Sequence, residues 1–383
     1  MNNQEKTIVV ATQSRKIIHP IDRSWEVFRY CPHRLVANLY LGCEFACTYC
    51  FARAIYPEYH RIIMARINAP ERIDKELARL KRARNLQPVD LGSATDPYQP
   101  IEKNLEITRK TLKIFLKHKA PVFIVTKSDL VLRDLDLLKE LREKKLVCVH
   151  VSFISLNRRI TALFEGKTPP PEKRLEAIEE LVENGIRVIG RIQPVIPYVN
   201  DDMEELEELL EALATVGTSH IIYGTLKLSE TVLDNMVYAL DRIGCLDEFL
   251  KLYILSGELD AAGYLIPPRE YRYKLAKYCA EKARRLGMTF GTCKEGFFEL
   301  HTYRCSGLDL KGRYLPTIEH IIKYATNREI IRKKDIVNLL KRLGADKRYI
   351  KKFLKGLEEG MLGITINHDQ RLHTSEILKP VKE

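Results

Sequence analysis

Residues 36–51 read VANLYLGCEFACTYCF, a short β-rich run followed by three cysteines in a C-x3-C-x2-C spacing. Residues 36–42 predict a strand, and Cys43, Cys47 and Cys50 lie on the loop directly after it. Three thiolates on one short loop can bind three irons of a 4Fe–4S cluster. The fourth iron then stays open for a small chelating molecule. These three cysteines are therefore the predicted metal ligands.

Zinc is the main alternative for this loop. A structural zinc site takes a fourth Cys or His at short spacing. His60 lies downstream of Cys50 and could serve as that ligand, so the spacing leaves zinc open. A further alternative is three buried structural cysteines that share this spacing by chance.

Between residues 36 and 226, six predicted strands alternate with helical patterns. The strands are predicted at 36–42, 89–93, 122–126, 146–153, 188–192 and 219–224, and the helices at 71–85, 102–118, 131–144, 171–184 and 202–215. Gly185 is the predicted stop of the fourth helix, and Asp201 is the predicted N-cap of the fifth. This alternation predicts an α/β fold with a parallel sheet. It fits an open partial (β/α)6 barrel or a doubly wound sheet. In both, ligands bind at the carboxyl ends of the strands.

After residue 226 the pattern changes. Helices are predicted at 229–251 and 269–287, and a loop-rich segment at 288–315. Short basic helices follow at Lys334–Leu343 and Lys347–Glu358, with Asp346 capping the second, and 361–366 and 370–373 predict a hairpin. The hairpin makes this small basic C-terminal helical module winged-helix-like. The predicted domains are an N-terminal extension (1–33), the β/α domain (34–226), a closing segment (227–316) and the basic module (317–383).

Composition narrows the class of protein. The 383-residue chain has about two domains' worth of length, and it shows neither a run of 18 apolar residues nor a secretory-type start. A cytoplasmic location without a membrane span is the expectation. Nine cysteines in such a chain favour metal or redox chemistry over a disulfide framework. Cys148 and Cys245 lie in apolar or helical settings and are predicted to be buried packing residues.

The positive charge is concentrated at the ends of the chain. The net charge is +12, and residues 311–356 hold 14 Lys and Arg against 4 Asp and Glu. Such a local excess suits a polyanionic partner, although a solvated lysine-rich surface explains it equally well. Aromatic residues interleave this region, but at helical spacing they are more typical of a core. They are Tyr314, Tyr324, Tyr349 and Phe353.

With an aromatic residue, Tyr49, just before the last cysteine, the loop resembles that of the radical S-adenosylmethionine (SAM) superfamily. The resemblance implies a radical SAM partial barrel whose open iron is chelated by the amino and carboxylate groups of SAM. Reduction then cleaves SAM to methionine and a 5′-deoxyadenosyl radical that abstracts hydrogen from the substrate. An electron donor such as ferredoxin or flavodoxin is the expected partner.

Within that superfamily the chain most resembles the spore photoproduct lyase-like group, over roughly residues 34–226. The residues that support this resemblance lie at the ends of predicted strands. They are Ser93–Glu102, Thr126–Ser128 and Ser152. Thr95 and Asp96 match a pair that holds the SAM amino group, which suits an acceptor facing an ammonium. Arg191 and Gln193 are predicted on the same side, where Arg191 has either a carboxylate-binding role or a salt bridge at the barrel rim. The predicted cofactor-binding residues are Tyr49, Ser93, Thr95, Asp96, Lys127, Ser128, Ser152 and Arg191.

Two positions depart from the lyases. In that group a cysteine two residues before the Ser/Thr-Asp pair returns hydrogen to the substrate radical, and here the position is Ser93. A tyrosine after the last cluster cysteine belongs to the same relay, and here the position is Phe51. The resemblance therefore predicts the SAM machinery without the reaction of the lyases.

Cys293, Cys305 and Tyr98 are the catalytic candidates. The two cysteines lie in glycine-containing segments that can approach a substrate closely. The sequence allows three roles for these two cysteines. They are a thiol hydrogen donor, structural residues, or ligands of a second metal site with Cys279 or with Cys31 of the Cys31-Pro-His sequence. These alternatives stay open.

Three functions remain after this reading of the sequence. The first is a radical SAM enzyme that repairs a lesion or modifies a base in a nucleic acid bound through residues 311–356. The second is a radical SAM enzyme that acts on a peptide, a protein or a small metabolite. The third is a non-catalytic nucleic-acid-binding protein stabilised by a metal.

Overall fold

A computed structural model gives the fold of this chain and divides it into two compact units. One unit is formed by residues 1–19 and 36–311, and the other by residues 20–35 and 312–383. The predicted four-part domain division stays a prediction. The structure describes residues 7–21, 31, 35–56, 58–260, 262–304, 307, 310, 311, 314–325, 328, 330–358 and, as backbone, 371–373.

The first unit is built around an eight-stranded sheet, counted over the described residues. Its strands, from one edge to the other, are β13 (Thr289–Thr292), β10 (His220–Thr225), β9 (Val188–Val195), β8 (Val147–Phe153), β7 (Val122–Thr126), β6 (Val89–Leu91), β3 (Leu35–Ala37) and β2 (Ile18–Pro20). The pairs from β6 to β10 and the pair β10–β13 are parallel.

The order of the strands decides between the two architectures that the sequence allowed. From β3 to β10 the strands lie side by side in the order in which they occur along the chain. A doubly wound sheet would reverse direction at a switch point, whereas a single winding direction is that of a barrel. The fold is therefore a partial α/β barrel. The predicted second to sixth strands are confirmed in place and order, and the first is confirmed in part, as β3.

The burial of the strands explains why they could be predicted from apolar runs in the sequence. All seven residues of β8 are buried, as expected of a strand inside a parallel sheet with both faces covered. On the outer face, a Cβ added at Gly190 of β9 would lie only 3.0 Å from a methyl carbon of Leu213. Because glycine has no Cβ, the helix that carries Leu213 can pack closely against this strand. Arg191, the residue after Gly190, consequently points to the interior of the barrel.

The first unit contains ten α-helices within its described residues. They are α1 (Ala69–Arg82), α2 (Glu102–Leu105), α3 (Ile107–His118), α4 (Leu135–Glu143), α5 (Arg158–Phe164), α6 (Pro171–Glu183), α7 (Met203–Thr215), α8 (Glu230–Arg242), α9 (Leu246–Leu250) and α10 (Arg269–Arg285). Gly185, with φ +70°, follows the end of α6 as predicted. No helix among the described residues has both the length and the apolar character needed to cross a membrane.

The predicted N-cap of α7 is wrong by one residue. Asp202, not Asp201, accepts hydrogen bonds from the peptide N–H groups of Glu204 (2.9 Å) and Glu205 (3.1 Å). The Asp201 carboxylate instead accepts a hydrogen bond from the hydroxyl of Tyr271 in α10. Two adjacent aspartates are equivalent in sequence, and the tyrosine on a distant helix decides which one caps.

The predicted first strand is divided in two. The chain leaves the large sheet after β3 and forms β4 (Tyr40–Leu41), which pairs antiparallel with β5 (Ile62–Arg66) in a separate three-stranded sheet with β1 (Ile8–Thr12). Asn38 lies at the break, where its side-chain oxygen accepts a hydrogen bond from the peptide N–H of Ala94 (3.1 Å). The long-range contact to the end of β6 therefore bends what the sequence presents as one strand.

The segment after residue 226 also differs from its prediction. The single helix expected over 229–251 is interrupted between α8 and α9, where Gly244 has φ +75°. A π-helical turn, Lys251–Leu255, and a two-stranded sheet, β11 (Glu258–Leu259) with β12 (Leu265–Ile266), follow. Strand β13 lies inside the segment expected to be loop-rich. Its four residues, TFGT, are too short and mixed for a pattern to indicate a strand.

The second unit contains three helices and one strand pair within its described residues. The helices are α11 (Ile318–Ala325), α12 (Lys333–Arg342) and α13 (Lys347–Glu358), and β14 (Ile330–Arg332) pairs antiparallel with β15 (Arg371–His373). Asp346 accepts a hydrogen bond from the peptide N–H of Tyr349 (2.8 Å), which confirms it as a cap. Residues 370–373 were expected to pair with 361–366, which lie outside the described residues, as does Gln370.

Candidate radical SAM site

The loop Gly42–Phe51, here called the cluster loop, follows β4 and carries the three predicted metal ligands. It starts at Gly42, whose φ of +99° favours glycine. A Cβ at this position would lie 2.6 Å from the carbonyl oxygen of Ile62 and 2.9 Å from that of Tyr59. The peptide N–H of Cys43 donates to the Tyr59 carbonyl oxygen (3.0 Å), so the loop is held tightly against the chain that follows it.

Arg53 holds the cluster loop from the other side. Its Nε donates to the carbonyl oxygen of Cys47 (2.9 Å), and one guanidinium nitrogen donates to that of Ala46 (2.5 Å). The other guanidinium nitrogen contacts Asn235 in α8 (2.6 Å) and lies 3.3 Å from Nδ1 of His60. A guanidinium beside His60 disfavours binding of a cation there, whereas it stabilises negative charge on the loop.

The three thiols lie in surroundings that suit a bound cluster. Cys47 is buried, Cys43 and Cys50 are half-buried, and all three pack against an apolar group that includes Phe45 and Tyr49. Burial raises the pKa of Cys47 to about 12 and also raises the pKa of Cys43, where the carboxylate of Asp96 adds to the effect. Iron would supply the positive charge that keeps such thiols deprotonated.

Three thiols on one loop are the donor set that a 4Fe–4S cluster uses. Over the residues that the structure describes, no group of three or more His, Cys, Asp or Glu side chains stands close enough to hold a single metal ion. A 4Fe–4S cluster gives each thiolate its own iron, so its cysteines surround a much larger body than one ion. Together with the apolar packing and Arg53, the donor set of three thiols on one loop fits that group.

Asp96 joins the end of β6 to the cluster loop and to β7. Its carboxylate accepts hydrogen bonds from the Thr126 hydroxyl (2.7 Å) and from the peptide N–H groups of Lys127 (2.7 Å) and Tyr98 (2.9 Å). Its negative charge also helps to raise the pKa of the Cys43 thiol. Burial raises the pKa of the Asp96 carboxyl, and the three hydrogen bonds oppose that rise. An acceptor is thus fixed close enough to the predicted ligand Cys43 to affect its pKa.

The neighbours of Asp96 fasten the cluster loop to the end of β6. The Thr95 hydroxyl donates to the Gly42 carbonyl oxygen (2.6 Å). Gln99 accepts a hydrogen bond from the peptide N–H of Glu44 (2.9 Å), and its side-chain nitrogen lies 3.2 Å from Oγ1 of Thr95. Ser93 accepts a hydrogen bond from the Asn38 amide (3.2 Å). The predicted SAM pair therefore also orders the metal-binding loop.

A buried charge network connects the cluster loop to β7 and α6. The Tyr49 hydroxyl donates to Glu165, which forms a fully buried ion pair with Arg174 (2.6 Å). The Lys127 ammonium lies 3.9 Å from Glu165 and 5.7 Å from the centre of the Tyr49 ring. Burial lowers the pKa of Lys127, but the acidic groups of Cys47 and Glu165 outweigh it and the net shift is upward. Lys127 is therefore a retained positive charge beside the loop.

Ser128 and Ser152 occupy buried positions at strand ends. Ser128 accepts a hydrogen bond from the peptide N–H of Leu130 (3.2 Å) and so caps the 3-10 helix Asp129–Asp134. Ser152 lies opposite Arg191 in the β8–β9 register, and its carbonyl oxygen accepts a hydrogen bond from Arg174 (2.9 Å). The cofactor-binding roles of both serines stay predictions.

Polar side chains from neighbouring strands face the interior of the barrel. Arg191 lies 3.4 Å from Nδ1 of His150 and donates to the Gln193 side chain. Burial raises the pKa of Asp90 on β6 to about 7, although the charge of Arg191 acts in the opposite direction. The interior face therefore carries hydrogen-bonding groups and a cation.

Of the two cysteines predicted to be catalytic, the structure describes Cys293. The peptide N–H of Cys293 donates to the Tyr223 carbonyl oxygen (2.7 Å), which extends β13 by one residue. Gly291 and Arg191 both pair with Ile222, so Cys293, two residues after Gly291, shares the interior face with Arg191. Cys305 lies outside the described residues.

Tyr98 is held in the packed interior. Its side chain is 0% exposed, and its hydroxyl donates to Asp134 (3.0 Å). The Arg133 guanidinium lies 5.9 Å from the centre of its ring. These contacts give Tyr98 a structural role in positioning Asp96 through its peptide N–H, and its catalytic role stays a prediction.

Several residues that order the site were missed from the sequence. Arg53, Gln99, Glu165 and Arg174 support the loop and its neighbours, but isolated charged or amide residues carry no local pattern. Of these four residues, Gln99 alone had a signal in the sequence, because it lies inside the strand-end motif Ser93–Glu102. Cys148 and Cys245 are buried, as predicted.

A parallel partial barrel with three cysteines after its first strands and polar groups at the strand ends defines the class of a radical SAM domain. Residues 37–213 match the model of the radical SAM superfamily. They form such a domain, which implies an enzyme with a 4Fe–4S cluster and SAM.

Known proteins similar to this chain support that assignment. The chain is 34% identical to an uncharacterized protein of Methanocaldococcus jannaschii over 173 residues, which are 44% of this chain and 62% of that protein. It is 23% identical to a radical SAM Nα-GlyT isomerase of Pseudomonas phage M6, over 66% of this chain and 52% of that protein. The chain thus spans less than two thirds of both relatives.

The fold is that of spore photoproduct lyase. A structure of that enzyme, complexed with dinucleoside spore photoproduct, superposes with a TM-score of 0.58 and 16% sequence identity. The match covers 74% of this chain and 82% of the lyase chain. At this identity the similarity concerns the fold alone.

Proposed function

We propose that this chain is a radical SAM enzyme that acts on a nucleic acid, either repairing a lesion or modifying a base. The observation that carries the proposal is the position of Thr95 and Asp96. The Thr95 hydroxyl donates to the Gly42 carbonyl oxygen (2.6 Å) at the start of the cluster loop, and the carboxylate of the adjacent Asp96 is fixed by Thr126 and Lys127 as an acceptor for an ammonium. Cys43, Cys47 and Cys50 would hold the 4Fe–4S cluster, and SAM would bind at the ends of β6 to β9.

When bound, the cluster and SAM supply a 5′-deoxyadenosyl radical that abstracts hydrogen from a substrate. The chain's own residues bind and orient. Asp96, fixed by three hydrogen bonds, accepts from the SAM amino group, and Lys127 supplies positive charge beside it. Arg191 faces the barrel interior, where it can pair with a carboxylate.

The reaction need not be that of the lyases. The Phe51 side chain is 54% exposed and has no phenol, and the Ser93 hydroxyl is held by Asn38. A serine O–H is a poor hydrogen donor to a carbon radical because its bond is strong. These two residues support a different outcome for the substrate radical on a related scaffold.

Two features favour a nucleic acid as the substrate. Residues 311–356 concentrate positive charge, which attracts a phosphate backbone. The solved lyase with the same fold is complexed with a dinucleoside photoproduct. A peptide, a protein or a small metabolite is the alternative substrate, and a non-catalytic binding protein is the alternative class.

The first test uses the full chain reconstituted anaerobically with iron and sulfide. We expect brown protein that, after reduction by dithionite, converts SAM to 5′-deoxyadenosine. A duplex DNA carrying damaged or unmodified thymines is then added, and its nucleosides are analysed by mass spectrometry. Absence of both colour and turnover in folded protein would contradict the enzyme proposal, and turnover that alters peptides but no nucleic acid would favour the alternative substrate.

Lys127→Met is expected to raise the Kd for SAM by roughly 10- to 100-fold, because a charge-assisted contact contributes on the order of 1.5–3 kcal/mol. Iron content and cluster absorbance should stay at the parent level, since Lys127 is not a ligand. Lys103→Met, on the exposed face of α2, is the matched control and should bind SAM as the parent does. Equal SAM affinity in the parent and Lys127→Met would remove this residue from the pocket.

A further inference from the structure

Helix α13 of the second unit carries four exposed basic side chains on one face. They are Arg348, Lys351, Lys352 and Lys355, here called the α13 stripe. Their spacing of three, four and seven residues puts them along one side of the helix over roughly 10 Å. The buried residues of α13, such as Ile350, Phe353 and Leu357, lie on the other side and anchor the helix.

The elements around α13 are arranged as in helix-turn-helix DNA-binding domains. The second unit runs in the order α11, β14, α12, α13, β15. Residues 343–346 join α12 to α13 as a tight turn in which Gly344 has φ +85°, and β14 and β15 pair beside them. Two helices joined by a short glycine-containing turn form the helix-turn-helix motif, whose second helix enters the major groove.

We propose that the α13 stripe docks in the major groove of duplex DNA and holds the chain on its substrate. The inference deepens the proposed function and rests on it for the identity of the substrate as a nucleic acid. The four side chains of the stripe are basic and exposed, so the stripe presents positive charge to the phosphates that border the groove.

The stripe fits a duplex better than a single strand. Proteins that bind single strands stack the bases on exposed aromatic rings. Here Phe353 is buried, and the buried Tyr349 donates its hydroxyl to the Pro316 carbonyl oxygen. The helix therefore offers cations without a stacking platform, which is suited to the regular phosphates of a duplex.

The stripe also fits DNA better than RNA. The major groove of B-form DNA is about 12 Å wide and admits an α-helix. The major groove of double-stranded RNA is deep and narrow, and side chains do not reach into it. A helix whose charges are spread along one face therefore favours duplex DNA as the partner.

The test measures binding of the full chain to fluorescent 20-base-pair duplex DNA over a range of salt concentrations. The variant replaces the four residues of the α13 stripe with glutamine. Removal of one Lys or Arg that touches a phosphate reduces the slope of log K against log salt by about 0.9, so we expect the slope to become shallower by roughly 2–4. Single-stranded DNA and double-stranded RNA of the same sequence should bind the parent at least about tenfold more weakly.

A matched control replaces four exposed lysines of the first unit with glutamine, which removes the same charge elsewhere. They are Lys103, Lys113, Lys139 and Lys277. The control should keep the parent slope, and circular dichroism should show both variants folded. Equal slopes for the stripe variant and the control, or equal binding of the three nucleic acids, would overturn the proposal. SAM cleavage by the stripe variant should equal that of the parent, so that loss of docking and failure of the proposed radical chemistry are distinguishable.

Discussion

Cys47→Ala is expected to abolish the brown colour of reconstituted protein and to reduce 5′-deoxyadenosine formation by on the order of 100-fold or more. Cys47 is the most buried of the three loop cysteines, and its backbone is fixed by Arg53, so another side chain cannot move into its place. Iron and sulfide content, the visible spectrum and SAM turnover under reducing conditions provide the measurements.

Cys245→Ala is the matched control for this prediction. Cys245 is also buried, and it packs in the same apolar group as Cys47, but it lies outside the cluster loop. The control should retain iron, colour and turnover. If both Cys47→Ala and Cys245→Ala keep iron and activity, the loop does not hold the cluster. If both variants lose iron and activity, the substitutions disturbed the packing of this region and not ligation.

Arg174→Met is expected to destabilise the first unit by about 3–5 kcal/mol. Arg174 and Glu165 are both fully buried, 2.6 Å apart. Removal of Arg174 leaves the buried carboxylate with the more distant Lys127 ammonium, at 3.9 Å, as its counter-charge. Arg174 also donates to the carbonyl oxygens of Pro169 (2.9 Å) and Ser152 (2.9 Å), and its loss removes both hydrogen bonds. Urea denaturation followed by circular dichroism measures the change.

The exposed ion pair Arg158–Glu172, with a separation of 2.8 Å, provides the comparison. Arg158→Gln should leave the urea midpoint close to that of the parent, because water screens exposed pairs and solvates the remaining carboxylate. If Arg174→Met and Arg158→Gln unfold at the same urea concentration, the buried network does not support the fold.

The buried pair also bears on the site. Glu165 accepts the hydroxyl of Tyr49 from the cluster loop and lies near Lys127. A variant that loses Arg174 therefore changes the charge balance beside Cys47 as well as the packing of α6. We expect any folded fraction of Arg174→Met to bind SAM more weakly, which separates it from a purely structural change elsewhere in the barrel.

Much of the fold was predictable because its signals are local. The buried runs 122–126 and 147–153 read as strands since both faces of a parallel strand are covered. Helix α6 begins at Pro171 and is stopped at Gly185, as the sequence indicates. By contrast, β13 and the break at Asn38 depend on contacts with chain segments about fifty residues or more away, which no local pattern contains.

The sequence by itself determined the predicted cluster loop, because Cys43, Cys47 and Cys50 lie within one short segment at a spacing that suits three ligands of a 4Fe–4S cluster. The tertiary structure alone decided what surrounds that loop. Arg53 beneath it, Asp96 beside Cys43, and the Glu165–Arg174 pair behind Tyr49 come from separate elements. Burial makes their charges costly unless they meet partners, and the fold brings those partners together.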